Sequence, residues 1–436
     1  MVLTSLCATS LQAVIPLPGA RGLWSLRDNF ASTHDTYLVQ AFVGETRIFK
    51  ISEENLDETE IHGFDDEAQT LHCANMHGSV VLQVTANVAR LVDIAAGKEV
   101  SKWQPDADGR ITVAASSATQ VLLALTGGVL VYLEADAAGA LKEVARKTMP
   151  HEISCLAIDP LAPAPQDSAD GDGDESMAPA TAKPATLAAV GLWTDITARV
   201  LALPSLDEVH KESLGGDIQP RSVLLTTLEG APYLFVALGD GHLFTFSIDA
   251  TTGAVSQGRR VSLGTQPISL STFDNNGQRH VFAACDRPSV LHSSAGKLLF
   301  SNVNLGDVTI MCPFNSESFP DCLALATEGD ITIGTVDEIQ KLHIRTVPLG
   351  EHPRRICYHA QSKCLAVCTV HTSVDNGEEV ETNFVRLVDA TSFDVVATYA
   401  LEAFEMALSM TSVTFAGSDK EYLVVGTACV ACVCGV

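Results

Sequence analysis

The chain has 436 residues, 46% of them hydrophobic, and its 53 acidic against 27 basic side chains leave a formal net charge of −26. That much apolar residue builds a sizeable core, while no apolar run reaches the ~20 residues that a membrane-spanning helix needs. So negative a surface repels phosphate backbones, which excludes a general nucleic-acid-binding surface and predicts weak or no direct nucleic-acid binding.

Residues 1–22 read as a lead-in. No basic stretch precedes their apolar residues, as a secretory leader would require. Ile15-Pro-Leu-Pro-Gly19 reads as a rigid connector outside any sheet, because proline removes ladder donors.

Seven segments then share one form: an apolar strand, a turn built on Gly, Asn, Asp or Thr, and a second strand. They are 37–51, 80–92, 121–133, 187–203, 233–248, 281–292 and 322–333. In YLFVALGDGHLFTFSI (233–248), Gly239 and Gly241 suit the positive φ of a tight reversal. Turn centres at Gly44, Asn87, Gly127, Thr194, Asp240, Asp286 and Gly329 give steps of roughly 43, 40, 67, 46, 46 and 43 residues. Several strands recurring every 40–50 residues or so mark a β-propeller, and a β-sandwich does not hold so even a spacing. The spacing therefore predicts a seven-bladed propeller over 23–335. Within it, the acidic stretch 53–66 reads as a surface loop, and the hairpin ending Arg90-Leu-Val-Asp93 as an outer-strand hairpin.

The one long step holds residues 160–184, rich in proline, alanine, glycine and acid, which read as a disordered loop inserted between strands. Asp170, Asp172 and Asp174 mimic the start of a calcium loop. Glu175 stands where that loop needs glycine and Thr181 where it needs a bidentate glutamate, so a solvated acidic loop is expected.

After Thr335 the spacing restarts. Two strand pairs, 363–370 with 384–388 and 412–415 with 422–426, read as the first blades of a further propeller over 336–436. Two blades cannot close a ring, and an open edge there is an aggregation liability. The expected fold class is all-β: a seven-bladed β-propeller followed by an incomplete second propeller.

Chemistry is sparse. Cys155, Cys285, Cys322, Cys364 and Cys368 sit inside strands, as reduced core thiols do. Cys429-x-x-Cys432-x-Cys434 has no second cluster, so no metal site is expected. Gly127-Gly128 and Gly215-Gly216 fall in turns and open no helix, unlike a phosphate loop. His343, His352 and His359 lack ligand spacing. No catalytic residue, no cofactor and no enzymatic activity are expected. Two features stand apart. Trp193 lies at a hairpin turn, either as a partner-binding anchor or packed onto the next blade. Residues 343–363 carry Arg345, Arg354, Arg355 and Lys363 in an otherwise acidic chain, as a solvated loop or a docking stretch.

Several strings occur in a familiar order: Gly191-Leu-Trp-Thr-Asp-Ile-Thr-Ala-Arg199, His210-Lys-Glu-Ser-Leu-Gly-Gly-Asp217, Pro220-Arg-Ser222, Ala237-Leu-Gly-Asp-Gly241, Leu263-Gly-Thr-Gln-Pro267, Asp286-Arg-Pro288, Phe300-Ser-Asn-Val-Asn-Leu305 and Asp337-Glu-Ile-Gln-Lys-Leu-His-Ile-Arg-Thr-Val-Pro-Leu349. With them the chain closely resembles the damaged-DNA-binding protein 1 family of cullin-4 ubiquitin ligase adaptors. The relatives of that family include splicing factor 3b subunit 3 and the large subunit of the cleavage and polyadenylation specificity factor. The similarity runs from about Leu17 to Ala428, and its long unbroken strings point to the adaptor branch.

The resemblance implies three propellers, A, B and C. Residues 1–22 would end A, 23–335 would form B, and 336–436 would begin a truncated C, so the chain is expected to be a piece of a longer protein. It implies a non-enzymatic scaffold that links a cullin-4-type scaffold to substrate receptors of WD-repeat type. Roles in protein ubiquitination and the DNA damage response, in the nucleus and the cytoplasm and with no membrane partner, come with it. A structural subunit of a pre-mRNA splicing or polyadenylation complex is the alternative. By the same resemblance Glu152 and Trp193 lie on the cullin-facing surface of propeller B, and Arg354 and Arg355 on the receptor side of C. Residues 430–436 depart from the family and the acidic insertion is longer than expected. Cullin docking is expected to survive, receptor docking not.

Overall fold

The structure is a computed structural model that describes residues 4–7, 9–52, 55–136, 139–161, 184–275, 277–294, 296–336, 349–375, 378–390, 394–418 and 420–429. It divides into two compact units, Met1–Leu342 and His343–Val436.

The first unit is a ring of seven four-stranded antiparallel blades, the sixth of which carries a fifth strand. Blades 1 to 6 occupy 22–59, 70–103, 111–148, 153–213, 220–262 and 269–303, each running from its innermost to its outermost strand. Blade 7 takes three strands from Ile310–Phe314, Cys322–Ala326 and Asp330–Val336 and its outer strand from Thr9–Pro16. The innermost strand of every blade packs on that of the next, and Ile310–Phe314 of blade 7 packs on Gly22–Leu26 of blade 1, which closes the ring.

The seven hairpins expected from the sequence are the two middle strands of the seven blades. These strands are covered on both faces by neighbouring blades, so they read as continuous apolar runs rather than as an alternation. Gln120–Leu125 and Leu187–Leu192 are buried at every position. Their side chains meet across the interface of blades 3 and 4, where Leu122, Leu130 and Tyr132 pack with Val190, Leu192 and Leu201. Each buried leucine contributes about 1.5–3 kcal/mol, and such an interface recurs around the ring. Of the two turn glycines in blade 5, only Gly241 takes a left-handed φ, +82°. A Cβ there would collide with the Gly264 carbonyl, so glycine is required on two counts.

Four expectations change. The connector expected at Ile15–Gly19 begins only after Pro16: Thr9–Pro16 pairs antiparallel with Asp330–Val336, from Thr9 opposite Val336 to Pro16 opposite Asp330. Pro16 is tolerated because it ends an edge strand, where no further ladder donor is needed. Thr4–Cys7 lies further out as a parallel strand on Lys297–Val303 of blade 6. Asn55–Thr59, inside the acidic stretch, is the outer strand of blade 1 rather than loop. Ala89–Asp93 is a middle strand, with Lys98–Trp103 outside it.

The long insertion joins the first two strands of blade 4, Ile153–Ala157 and Leu187–Leu192, which pair directly. Residues 162–183, with the calcium-like aspartates, lie outside the described residues. The returning chain is clamped at Ala185, whose N–H donates to Gln120 Oε1 at 2.6 Å while Gln120 Nε2 donates to the Ala185 carbonyl at 2.9 Å.

The second unit holds a four-stranded sheet, His352–His359, Cys364–Asp375, Glu378–Asp389 and Val395–Ala400, and a hairpin of Glu405–Thr414 with Glu421–Cys429. Both expected strand pairs are present, with Val370 opposite Asn383 and Ser412 opposite Leu423. Residues 337–348, and with them His343 and Arg345, lie outside the described residues. Of the rest of the basic stretch, 352–359 is a strand rather than a loop, and Lys363 falls in the turn that follows it. Ile356, Tyr358, Tyr399, Leu408 and Val424 of this unit are exposed.

Candidate protein-docking face

All innermost strands of the ring run the same way. One face of the propeller therefore collects the turns between middle strands and the loops that lead into each new blade. Glu152 ends the loop into blade 4, immediately before Ile153–Ala157, and Trp193 follows the strand Leu187–Leu192. The two are joined directly: the Trp193 N–H donates to the Glu152 carbonyl at 3.0 Å. The Glu152 carboxylate reaches the other way and accepts the Gly127 N–H at 2.8 Å. Gly127 sits at φ +81° in the turn of blade 3, so one glutamate stitches the turns of two blades together.

Trp193 is 46% exposed, so its indole is not wedged between blades. Its turn is braced from below. Arg199, buried, donates Nη2 to Asp195 Oδ2 at 2.7 Å and Nη1 to Glu208 Oε2 at 2.5 Å. Thr197 Oγ1 donates to Asp195 Oδ1 at 2.7 Å. Burial raises the Asp195 pKa, but the bonds from Thr197 and Arg199 outweigh it and leave it below its ordinary value. Ile196, at φ +48°, completes the tight reversal.

A neighbouring residue escaped sequence reasoning. Ile218, 40% exposed, stands in the loop into blade 5 on the same face. The signal was an isoleucine beside Gly215-Gly216-Asp217, in a loop whose other apolar residue, Leu214, is buried. Farther round, Asp286 locks the next loop by accepting the N–H of Thr265 at 2.9 Å and of Gln266 at 3.2 Å.

Arg354 and Arg355 belong to the second unit, exposed on the strand His352–His359. Arg355 Nε donates to the Leu408 carbonyl at 2.8 Å, which ties that strand to the hairpin beside it. Both arginines line a groove of about 410 Å³ with Ile356, Leu365 and Val367.

Among the described residues no three His, Cys, Asp or Glu side chains gather as a metal-holding group. Cys429 is exposed, and Cys432 and Cys434 lie outside the described residues. Burial pushes the thiol pKa of Cys155 up to about 11, and that of Cys322 to about 11 as well, so both stay protonated and unreactive.

Ring closure, blade order and strand register define the first unit as a seven-bladed β-propeller. A family model described as RSE1/DDB1/CPSF1 second beta-propeller matches residues 9–336, the span of the blades including the closing strand. The chain belongs to the RSE1/DDB1/CPSF1 family. A second family model, CPSF A subunit region, matches residues 382–431 in the second unit. DNA damage-binding protein 1 of Oryza sativa subsp. japonica is 48% identical over 418 residues, covering 96% of this chain and 37% of that protein. DNA damage-binding protein 1a of Arabidopsis thaliana is 47% identical and DNA damage-binding protein 1 of Solanum lycopersicum 46%, with the same coverage. The chain thus spans 37% of the length of these relatives.

Proposed function

We propose that this chain is a non-enzymatic scaffold whose propeller docks a cullin-4-type partner through the face that carries Glu152 and Trp193. The observation behind this reading is the half-exposed indole of Trp193, held at a braced turn and bonded through its backbone to Glu152. An aromatic ring in such a place buries a large apolar area when covered, and an acidic rim pairs with a basic partner side chain. On this reading the second unit begins the propeller that meets WD-repeat-type substrate receptors, with Arg354 and Arg355 on its contact side. The work is ubiquitination in the DNA damage response, in the nucleus. The relatives' name speaks of damaged DNA, yet a net charge of −26 disfavours direct binding, so contact with DNA runs through partners.

Co-purification tests the reading. The chain should recover a cullin-4-type protein, and Trp193→Ala should abolish that recovery. Recovery of splicing or polyadenylation factors without any cullin would instead assign the chain to the RNA-processing branch.

A further inference from the structure

The rim of the propeller carries a groove of about 830 Å³ between blades 5 and 6. Its walls are the outer strand of blade 5, Val255–Ser262, and the outer strand of blade 6, Lys297–Val303. Tyr233 and Leu298, both half-buried, supply its accessible apolar surface over the buried Phe300, and Arg259, Arg260 and Lys297 its charge. Among the described residues no carboxylate lines it, in a chain where acids outnumber bases 53 to 27. Arg260 is anchored, its guanidinium 5.6 Å above the Phe244 ring and 3.5 Å from Asp240. Arg259 and Lys297 are exposed, and no ion pair involves either among the described residues.

The backbone adds a second feature. Val255–Ser262 is the outermost strand of its blade, so among the described residues one of its edges has no strand beside it. Its register shifts between the pairs Thr245–Arg259 and Ser247–Ser256, with Gln257 at φ +56°. At Gly258 a Cβ would lie 2.6 Å from the Phe246 ring, so glycine lets the strand bend over that ring. On the next blade the corresponding outer edge is already extended by a strand, Thr4–Cys7.

We propose that this groove binds an extended acidic peptide of a partner protein, added as a strand on the edge of Val255–Ser262. Backbone amides of the peptide pair with the free edge, and its acidic side chains, on the one face of the added strand that looks into the groove, meet Arg259 and Lys297. A peptide fits better than a nucleic acid. A strand edge presents alternating amide donors and acceptors, and three cations neutralise only a few phosphates against the field of the whole chain.

The test uses the full chain and a fluorescent peptide of alternating glutamate and valine, as long as the 8-residue edge strand, read by anisotropy at low salt. Saturable binding is expected. The double change Arg259→Glu with Lys297→Glu should weaken it about tenfold or more, and Arg259→Lys should restore most of it. N-methylation of alternate peptide amides should abolish it, while Trp193→Ala should leave it unchanged. Unaltered melting would show that the charge-reversed variant is folded. Binding that survives charge reversal, or that tolerates N-methylation, would overturn the proposal. So would equal binding of a thymidine oligonucleotide of the same charge, which would assign the groove to single-stranded nucleic acid, or the absence of saturable binding.

Discussion

The backbone N–H of Trp193 is bonded to the carbonyl of Glu152 at 3.0 Å, so the two residues move as one piece of the propeller face. The consequence is separable by mutation. With Trp193 46% exposed, Trp193→Ala removes contact area from a partner but leaves no cavity in the core. It should cost about 2 kcal/mol or more of partner affinity and less than about 1 kcal/mol of stability. Calorimetric binding and thermal melting of the same variant check both. A melting temperature that falls without any change in affinity would refute the docking role.

Glu152 has two duties, and two substitutions divide them. Its carboxylate accepts the Gly127 N–H at 2.8 Å. Glu152→Gln keeps an oxygen acceptor for that bond and loses only the charge. Glu152→Ala loses both. If the charge meets a basic partner, the glutamine variant should bind several-fold more weakly and its remaining affinity should depend less on salt. The alanine variant should be weaker still, with faster amide exchange at Gly127.

Thr9–Pro16 adds a second closure, completing blade 7 from the other end of the ring. Ala13 and Ile15 pack against a cluster that includes the fully buried Ile331 and Ile333 of blade 7. Deleting residues 1–16 strips that strand and should cost about 3 kcal/mol or more, visible as a melting temperature several degrees lower. Deleting residues 1–8 removes only the added strand on blade 6 and should change melting much less. Equal effects of the two deletions would contradict the closure.

The two turn glycines of blade 5 should respond differently. Gly241→Ala forces a left-handed φ on alanine and drives its Cβ into the Gly264 carbonyl. A loss of roughly 1–3 kcal/mol is expected in denaturant unfolding. At Gly239 a Cβ would meet Arg221 Cγ at 3.5 Å, an ordinary contact, so Gly239→Ala should stay within about 0.5–1 kcal/mol.

Two histidines with lowered pKa should make the propeller less stable in mild acid. Burial pushes the pKa of His72, which bonds Ser116 Oγ at 2.8 Å, down to about 4, and burial lowers that of His280 too. Above pH ~6.5 these rings are neutral in both states and contribute no slope. As pH falls from there, the unfolded chain takes up the protons first, so stability declines until about pH 4, where His72 protonates in the fold. Asp159 runs the other way, since burial raises its pKa to about 6. Comparing the parent with His72→Asn cancels that background. The variant should lose a slope of at most about 1.4 kcal/mol per pH unit between those limits. Parallel profiles for the two proteins would exclude His72 as a source.

Much of the propeller was legible because its middle strands are self-announcing. Leu187–Leu192 and Ala231–Leu238 are apolar on both faces and end at turn residues, and seven such units at an even step leave little choice of fold. The outer strands were not legible. Val255–Ser262 is exposed along most of its length and Asn55–Thr59 is acidic, so neither shows an alternation that a strand search detects. The site was half visible. A tryptophan at a turn could be an anchor or a wedge, and nothing along the chain distinguishes them.

The amino-acid order alone carried the repeat, its number and the turn positions, because burial of each middle strand depends on residues within its own segment. Three-dimensional packing decided that Thr9–Pro16 belongs to blade 7, that the Trp193 indole faces outward, and that Glu152 bonds Gly127. Each of these depends on a partner distant in sequence, and a strand edge or an open turn accepts many partners of equal local chemistry until the ring brings one of them within reach.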